Sequence, residues 1–98
     1  MSDSYLKRVV TISNRKGLHA RASAKLAKLA ATLPTKVTVT HQGESADARS
    51  IMDLLCLGAA LGTDITISAG GPEAEMALDK VEGLFEDGFG ELDEDCST

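Results

Sequence analysis

Aromatic side chains are scarce in this 98-residue chain: Tyr5, Phe85 and Phe89 are the whole set, and tryptophan is absent. Modules that read single-stranded RNA stack bases on aromatic residues of a sheet. From Leu6 onward the predicted strands carry none, and the net charge is −5, so nucleic-acid binding is a poor reading. Cysteine is also sparse. Cys56 lies in an apolar segment and Cys96 in the tail, which is no disulfide framework, and Cys56 is expected to be a small core residue. Neither the two cysteines nor His19 and His41 show metal-ligand spacing, so no metal and no other cofactor is expected. The longest uncharged apolar stretch, Leu54–Gly62, falls far short of the roughly 20 residues that span a bilayer, so no membrane insertion is expected. The opening residues, MSDSYLKRVV, lack the apolar core and cleavage site of a signal peptide, and a cytoplasmic location is expected.

Basic residues are missing from one half. Residues 50–98 hold Lys80 alone against twelve acids, a balance of −11. Residues 1–49 hold the other nine Lys and Arg against Asp3, Glu44 and Asp47, a balance of +6. This asymmetry predicts one basic surface and hence an anionic partner or group.

Hydrophobic periodicity predicts one domain over residues 1–90, followed by an acidic, disordered tail over 91–98. Leu6–Ser13 alternates as a strand, with Arg8 the exception on its apolar face. Ala20–Leu33 is helical, with Ala22, Leu26, Leu29, Ala30 and Leu33 on one stripe and Pro34 as its stop. Val37 and Val39 mark a half-buried strand, Gln42-Gly43 a tight turn, and Glu44–Ala48 the returning strand. Ser50-Ile51-Met52-Asp53 has the capping-box form of a helix start, with a short helix running to Leu57. Thr63–Ala69 is a further strand, and a helix on Ala74, Ala77, Leu78, Val81, Leu84 and Phe85 follows the turn at Gly71-Pro72. The order β-α-β-β-α-β-α, with strands polar on one face, predicts an α+β open-faced sandwich. Its four-stranded antiparallel sheet carries three helices on one face.

The stretch Asn14–Ser23 is the most informative. His19 falls where a loop becomes the first helix, beside the unpaired N–H groups of the helix's first turn at Ala20 and Arg21, a ready anion site. Arg21 offers a planar fork to phosphate oxygens. Arg21, Lys25 and Lys28 recur at helical spacing as a basic stripe, to which Arg15 and Lys16 add charge from the loop. A histidine with the ordinary pKa of about 6.5 can take a phosphoryl group on a ring nitrogen. A P-loop and a Mg²⁺-holding acidic pair are both missing, so the pattern suits carrying a phosphoryl group rather than taking one from a nucleotide. Spacing alone leaves open a merely structural His19 and a merely solvated stripe.

Gly17-Leu18-His19-Ala20-Arg21 resembles the active-site motif of the HPr family, the histidine phosphocarriers of the bacterial phosphotransferase system. Ser50-Ile51-Met52 with Leu57-Gly58, and Gly71-Pro72-Glu73 with Ala77-Leu78, extend the resemblance from about Leu6 to Gly88. It implies a phosphocarrier rather than an enzyme. His19 would accept phosphate at Nδ1 from enzyme I and donate it to an EIIA-type domain, with Arg21 pairing to the phosphate. It also implies that Ser50 is a target of HPr kinase/phosphorylase, although helix capping alone would explain that serine. Ile51, Met52 and Leu55 read first as core. By resemblance they form an exposed docking patch, with Lys16, Lys25 and Lys28 steering partners. His41 is read only as a surface residue, and the protein is expected to be a monomer. One departure is Ala22, where the family commonly has proline. Alanine keeps the helix but removes a fixed φ, a change that fits a nitrogen-regulatory or otherwise divergent branch. The same element order also describes RNA-binding and small-molecule-sensing domains, and those are the alternative readings.

Overall fold

The computed structural model describes residues 5–90, so the disordered tail expected over 91–98, and Cys96 within it, lie outside the described residues. The elements run β1 (Tyr5–Thr11), α1 (Ala20–Ala31), β2 (Val37–His41), β3 (Glu44–Asp47), α2 (Ile51–Cys56), β4 (Asp64–Gly70) and α3 (Ala74–Glu86), with a final 3₁₀ turn at Gly88–Gly90. The four strands form one sheet in the order β1-β4-β2-β3, and every pairing is antiparallel. Arg8 faces Ile67 across β1 and β4, and Val39 faces Ile67 across β2 and β4.

The period-2 pattern does what it predicts. Val10, Ile12, Val37, Val39, Ala46, Ile65, Ile67 and Ala69 point inward and are buried. Against them pack Ala22, Leu26 and Ala30 of α1, Leu54 of α2, and Ala74, Ala77, Leu78, Val81 and Phe85 of α3. All three helices therefore cover one face. On the other, Lys7, Val9 and Thr11 stay exposed. This is an open-faced α+β sandwich.

Arg8, the odd member of the inward set, lies on an edge strand and reaches out over α3. Its Nη1 donates to Asp79 Oδ1 and to Glu82 Oε1, the latter at 2.9 Å. A charge on the inward face is tolerated because β1 ends the sheet and α3 supplies acids there.

Boundaries differ from expectation by a residue or two for local reasons. The first helix stops at Ala31 rather than Leu33 because its last turn tightens: Thr32 N–H donates to Leu29 O and Leu33 N–H to Ala30 O. The hairpin turn has positive φ at both Gln42 (51°) and Gly43 (85°), the paired left-handed conformation that matches strand twist. Past α3 the chain takes positive φ at Gly88, Phe89 and Gly90 in succession (63°, 57°, 73°). That run turns Phe89 back into the core, where its ring meets Phe85 edge-on at 5.0 Å.

Candidate functional site

The loop between β1 and α1 is held by its own polar groups. Asn14 is fully buried, and its Nδ2 donates to the Gly17 carbonyl at 2.8 Å, while Gly17 N–H donates to Asn14 O at 3.2 Å. Ser13 Oγ ties the loop's start to the Phe85 carbonyl at the end of α3 (3.1 Å). Gly17 lies at φ +64° against the segment joining α2 to β4, where a Cβ would come within 2.3 Å of Ala59 O. Only glycine permits that approach. Leu18 N–H then donates to the same Ala59 carbonyl at 3.1 Å.

His19 is the N-cap of α1, with φ −80° and ψ −175°, and its side chain makes no capping bond. Its carbonyl accepts the Ser23 N–H at 2.8 Å, and the buried Ser23 Oγ donates to Leu18 O at 3.1 Å. The backbone of residues 17–19 is thus fixed on both sides, by Ala59 and Asn14 from outside the helix and by Ser23 from within it. The half-buried imidazole stands beside the N-terminal turn of a twelve-residue helix that has no acid in that turn. First-turn N–H groups and the helix dipole stabilise negative charge there. Ala20 and Arg21 open the helix and are exposed, as are Arg15 and Lys16 on the preceding loop.

The predicted basic stripe is not uniform. Arg21 and Lys28 are exposed, but Lys25 is half-buried and its ammonium donates to the Phe89 carbonyl at 2.6 Å. Lys25 therefore joins α1 to the end of the described chain.

Ser50 caps α2 as its motif predicts: Oγ accepts the Asp53 N–H at 3.2 Å. Upstream, Asp47 Oδ1 accepts the Arg49 N–H (2.9 Å) and Asp47 O accepts the Ser50 N–H (2.9 Å), which sets the turn into the helix. The Arg49 N–H bond holds the Asp47 carboxyl below its ordinary pKa, against a smaller opposing effect of burial. The core reading of Ile51, Met52 and Leu55 does not hold, since they are 41%, 70% and 38% exposed and Leu54 alone anchors α2. Leu61, 54% exposed, lies on the segment that leaves α2 and carries Ala59 to the His19 loop.

Two further expectations need correction. Cys56 is exposed, because a six-residue helix with one inward position leaves its last residue in solvent. His41 is not a plain surface residue: its Nδ1 lies 2.9 Å from the Leu57 carbonyl, joining the hairpin to the end of α2. Sequence reasoning also passed over Asn14, Ser23 and Ala59. Ser23 left a signal, a polar residue on the apolar face between Ala22 and Leu26, whereas the role of the Ala59 carbonyl exists only after folding. Among the described residues no cluster of His, Cys, Asp and Glu could hold a metal, and no helix is long and apolar enough to cross a membrane.

A one-sided α+β sandwich that presents a histidine at a basic helix start has the features that binding or carrying an anionic group requires. The family model described as "PTS HPr component phosphorylation site" matches residues 6–87. The chain is 42% identical over 86 residues to phosphocarrier protein HPr of Cupriavidus necator, covering 88% of this chain and 97% of that one. It is 41% identical over 86 residues to phosphocarrier protein NPr of Shewanella violacea, covering 88% and 94%. Among solved structures, HPr-C-His from Thermoanaerobacter tengcongensis superposes with a TM-score of 0.82 at 30% identity, covering 87% of this chain and 96% of that one. The chain belongs to the HPr family, the phosphocarriers of the phosphotransferase system; it is a carrier rather than an enzyme.

Proposed function

We propose that His19 is the phosphoryl acceptor, that it is charged by the phosphohistidine of enzyme I, and that it discharges to a histidine of an EIIA-type domain. The Nδ1 lone pair attacks the phosphorus as the donor's N–P bond breaks and its electron pair returns to the donor imidazole. The same step in reverse roles passes the group onward. The observation that carries this reading is the placement of His19 as N-cap of α1, at a first turn that holds no acid. Nδ1 is the ring nitrogen nearer the backbone, so a phosphate there meets the first-turn N–H groups of Ala20 and Arg21. The Arg21 guanidinium supplies a charge-assisted partner.

Partners dock on Ile51, Met52 and Leu55, whose exposure leaves them available, while Lys16 and Lys28 steer acidic surfaces towards the site. Lys25 contributes to the same field although its ammonium also holds Phe89. Ser50 is the regulatory position. A phosphate there sits at the N-terminus of α2, with about −1.5 to −2 charge beside the docking patch, and repels an acidic partner. The protein works in the cytoplasm as a monomer, in sugar uptake or in a nitrogen-regulatory branch, and its relatives include both a phosphocarrier protein HPr and a phosphocarrier protein NPr.

Incubation with phosphoenolpyruvate and enzyme I tests the assignment. The expected product is a singly phosphorylated, acid-labile species that His19→Ala does not form. Stable incorporation into His19→Ala moves the site elsewhere. Incubation with HPr kinase/phosphorylase and ATP tests Ser50, and an unmodified Ser50 rejects the regulatory role.

A further inference from the structure

His41 ends the inward-facing series of β2, after the buried Val37 and Val39, and pairs with Glu44 across the hairpin. Its half-buried ring meets the end of α2, with Nδ1 2.9 Å from the Leu57 carbonyl. A carbonyl only accepts, so Nδ1 carries a proton and donates. Leu57 is the C-cap of α2, a six-residue helix whose Leu54 and Leu55 carbonyls already accept from the Leu57 and Gly58 N–H groups. From a distant strand, the ring thus satisfies the next carbonyl of a helix end. Two residues further on is Ala59, whose carbonyl accepts the Leu18 N–H at 3.1 Å and lies against Gly17. The segment that carries Ala59 is pinned at its far end by backbone alone: Gly62 N–H donates to Ile12 O, and Ile12 N–H to Thr63 O, both at 2.9 Å. At the α2 end the Leu57 side chain is buried in the core, and its carbonyl is held by the side chain of His41.

We propose that His41 is a positioning residue for His19, acting through Leu57 and Ala59 without touching the reacting atoms. By holding the exit of α2 it sets where the Ala59 carbonyl stands, and with it the loop that presents the imidazole. Loss of the Nδ1 donor strips the Leu57 carbonyl of this partner and frees the α2 exit, so the Leu18–Ala59 bond opens more often. His19 then spends less time in its fixed orientation, and phosphoryl transfer slows. The consequence for transfer rests on the phosphocarrier reading above; the coupling of His41 to the Leu18 amide does not.

Ring-nitrogen NMR shifts of the full chain should place the proton of neutral His41 on Nδ1, and a proton on Nε2 alone overturns the contact. Amide exchange is then compared in the parent, His41→Leu and His41→Asn, the last of which puts an amide N–H where Nδ1 stands. Val39 and Ile67, paired in the middle of the sheet, report global opening. Relative to them, Leu18 should exchange roughly fivefold faster in His41→Leu and at the parental rate in His41→Asn. A uniform rise at all three amides, or no change at Leu18, means that His41 only stabilises the fold and overturns the proposal. His41→Ala supplies the same comparison should His41→Leu not fold. Phosphorylation by enzyme I should slow in His41→Leu and recover in His41→Asn, and equal rates in an active parent and both variants overturn the positioning role. The expected exchange pattern without phosphorylation of the parent counts against the carrier assignment and supports the coupling.

Discussion

Substituting Gly17 tests how the site loop is held, and Gly58 provides a matched control. The two residues have nearly the same φ, +64° and +63°, but a Cβ at Gly58 meets nothing within 4 Å. Gly58→Ala therefore carries only the left-handed penalty of an L residue, about 1–2 kcal/mol. Gly17→Ala carries that penalty and a collision. Its Cβ would lie 2.3 Å from Ala59 O and 2.8 Å from Ala60 Cα, both backbone atoms that cannot rotate away. Restoring ordinary contact at 3.4 Å from 2.3 Å requires the two loops to part by 1.1 Å. The Leu18 N–H···Ala59 O bond, now 3.1 Å, does not survive such a movement. Leu18 and Ala59 are both nearly buried, so the broken bond leaves unsatisfied groups worth about 1–3 kcal/mol.

Gly17→Ala should thus cost about 3–4 kcal/mol, roughly 2 more than Gly58→Ala. Equilibrium urea unfolding of the two variants beside the parent measures the difference, with midpoints converted through a common slope. Faster exchange of the Leu18 amide and slower phosphorylation by enzyme I should accompany the loss in Gly17→Ala only. Equal destabilisation of the two variants, or an unchanged Leu18 amide, would refute the claim that the Ala59 carbonyl positions the His19 loop.

Phe89→Ala removes a fully buried ring stacked edge-on against Phe85 and should cost about 3–5 kcal/mol in thermal unfolding, a loss below about 1 showing that the turn does not close the core. Asp47 has a folded pKa below its ordinary value of 3.8, so its contribution to stability is present above that value and is lost as pH falls through the folded pKa. The stability gap between parent and Asp47→Asn should accordingly narrow as pH drops from about 5 to about 3, and a gap independent of pH would show that the Arg49 N–H bond does not discriminate the charged form. Ala22 is the third residue of α1, where the N–H has no intrahelical partner, so Ala22→Pro breaks no helix bond and should leave the phosphorylation rate near that of the parent. A many-fold faster variant would mean that alanine loosens the site.

Much of the fold is written in local pattern. Alternation on Val37-Val39 and Ile65-Ile67 identifies buried strand faces, and the Ser50–Asp53 spacing yields the cap that forms. Where pattern misleads, a partner distant in sequence decides. Arg8 breaks its strand's rule because α3 brings Asp79 and Glu82 to it. His41 turns from surface to bracket because Leu57 ends beside it. Cys56 and its apolar neighbours read as core because an uncharged stretch usually is one, but a six-residue helix has room for a single inward anchor, and Leu54 takes it.

The chemistry proposed for the site rests on a different signal: His19, Ala20 and Arg21 are contiguous, so one motif carries the proposed nucleophile, the helix start and the cation together. The clamps that set its geometry are not contiguous. Asn14 and Ser23 are polar residues within buried surroundings, and Ala59 contributes a carbonyl that any residue would supply. Side-chain identity thus announces what the loop can do, whereas its shape depends on backbone groups that composition does not distinguish. The charge asymmetry follows the same division. The second half holds twelve acids, and two of them, Asp79 and Glu82, hold Arg8 of the first half. The charge asymmetry thus includes placed contacts between the halves, which the net charge of −5 conceals because opposite charges cancel in a sum but not at a surface.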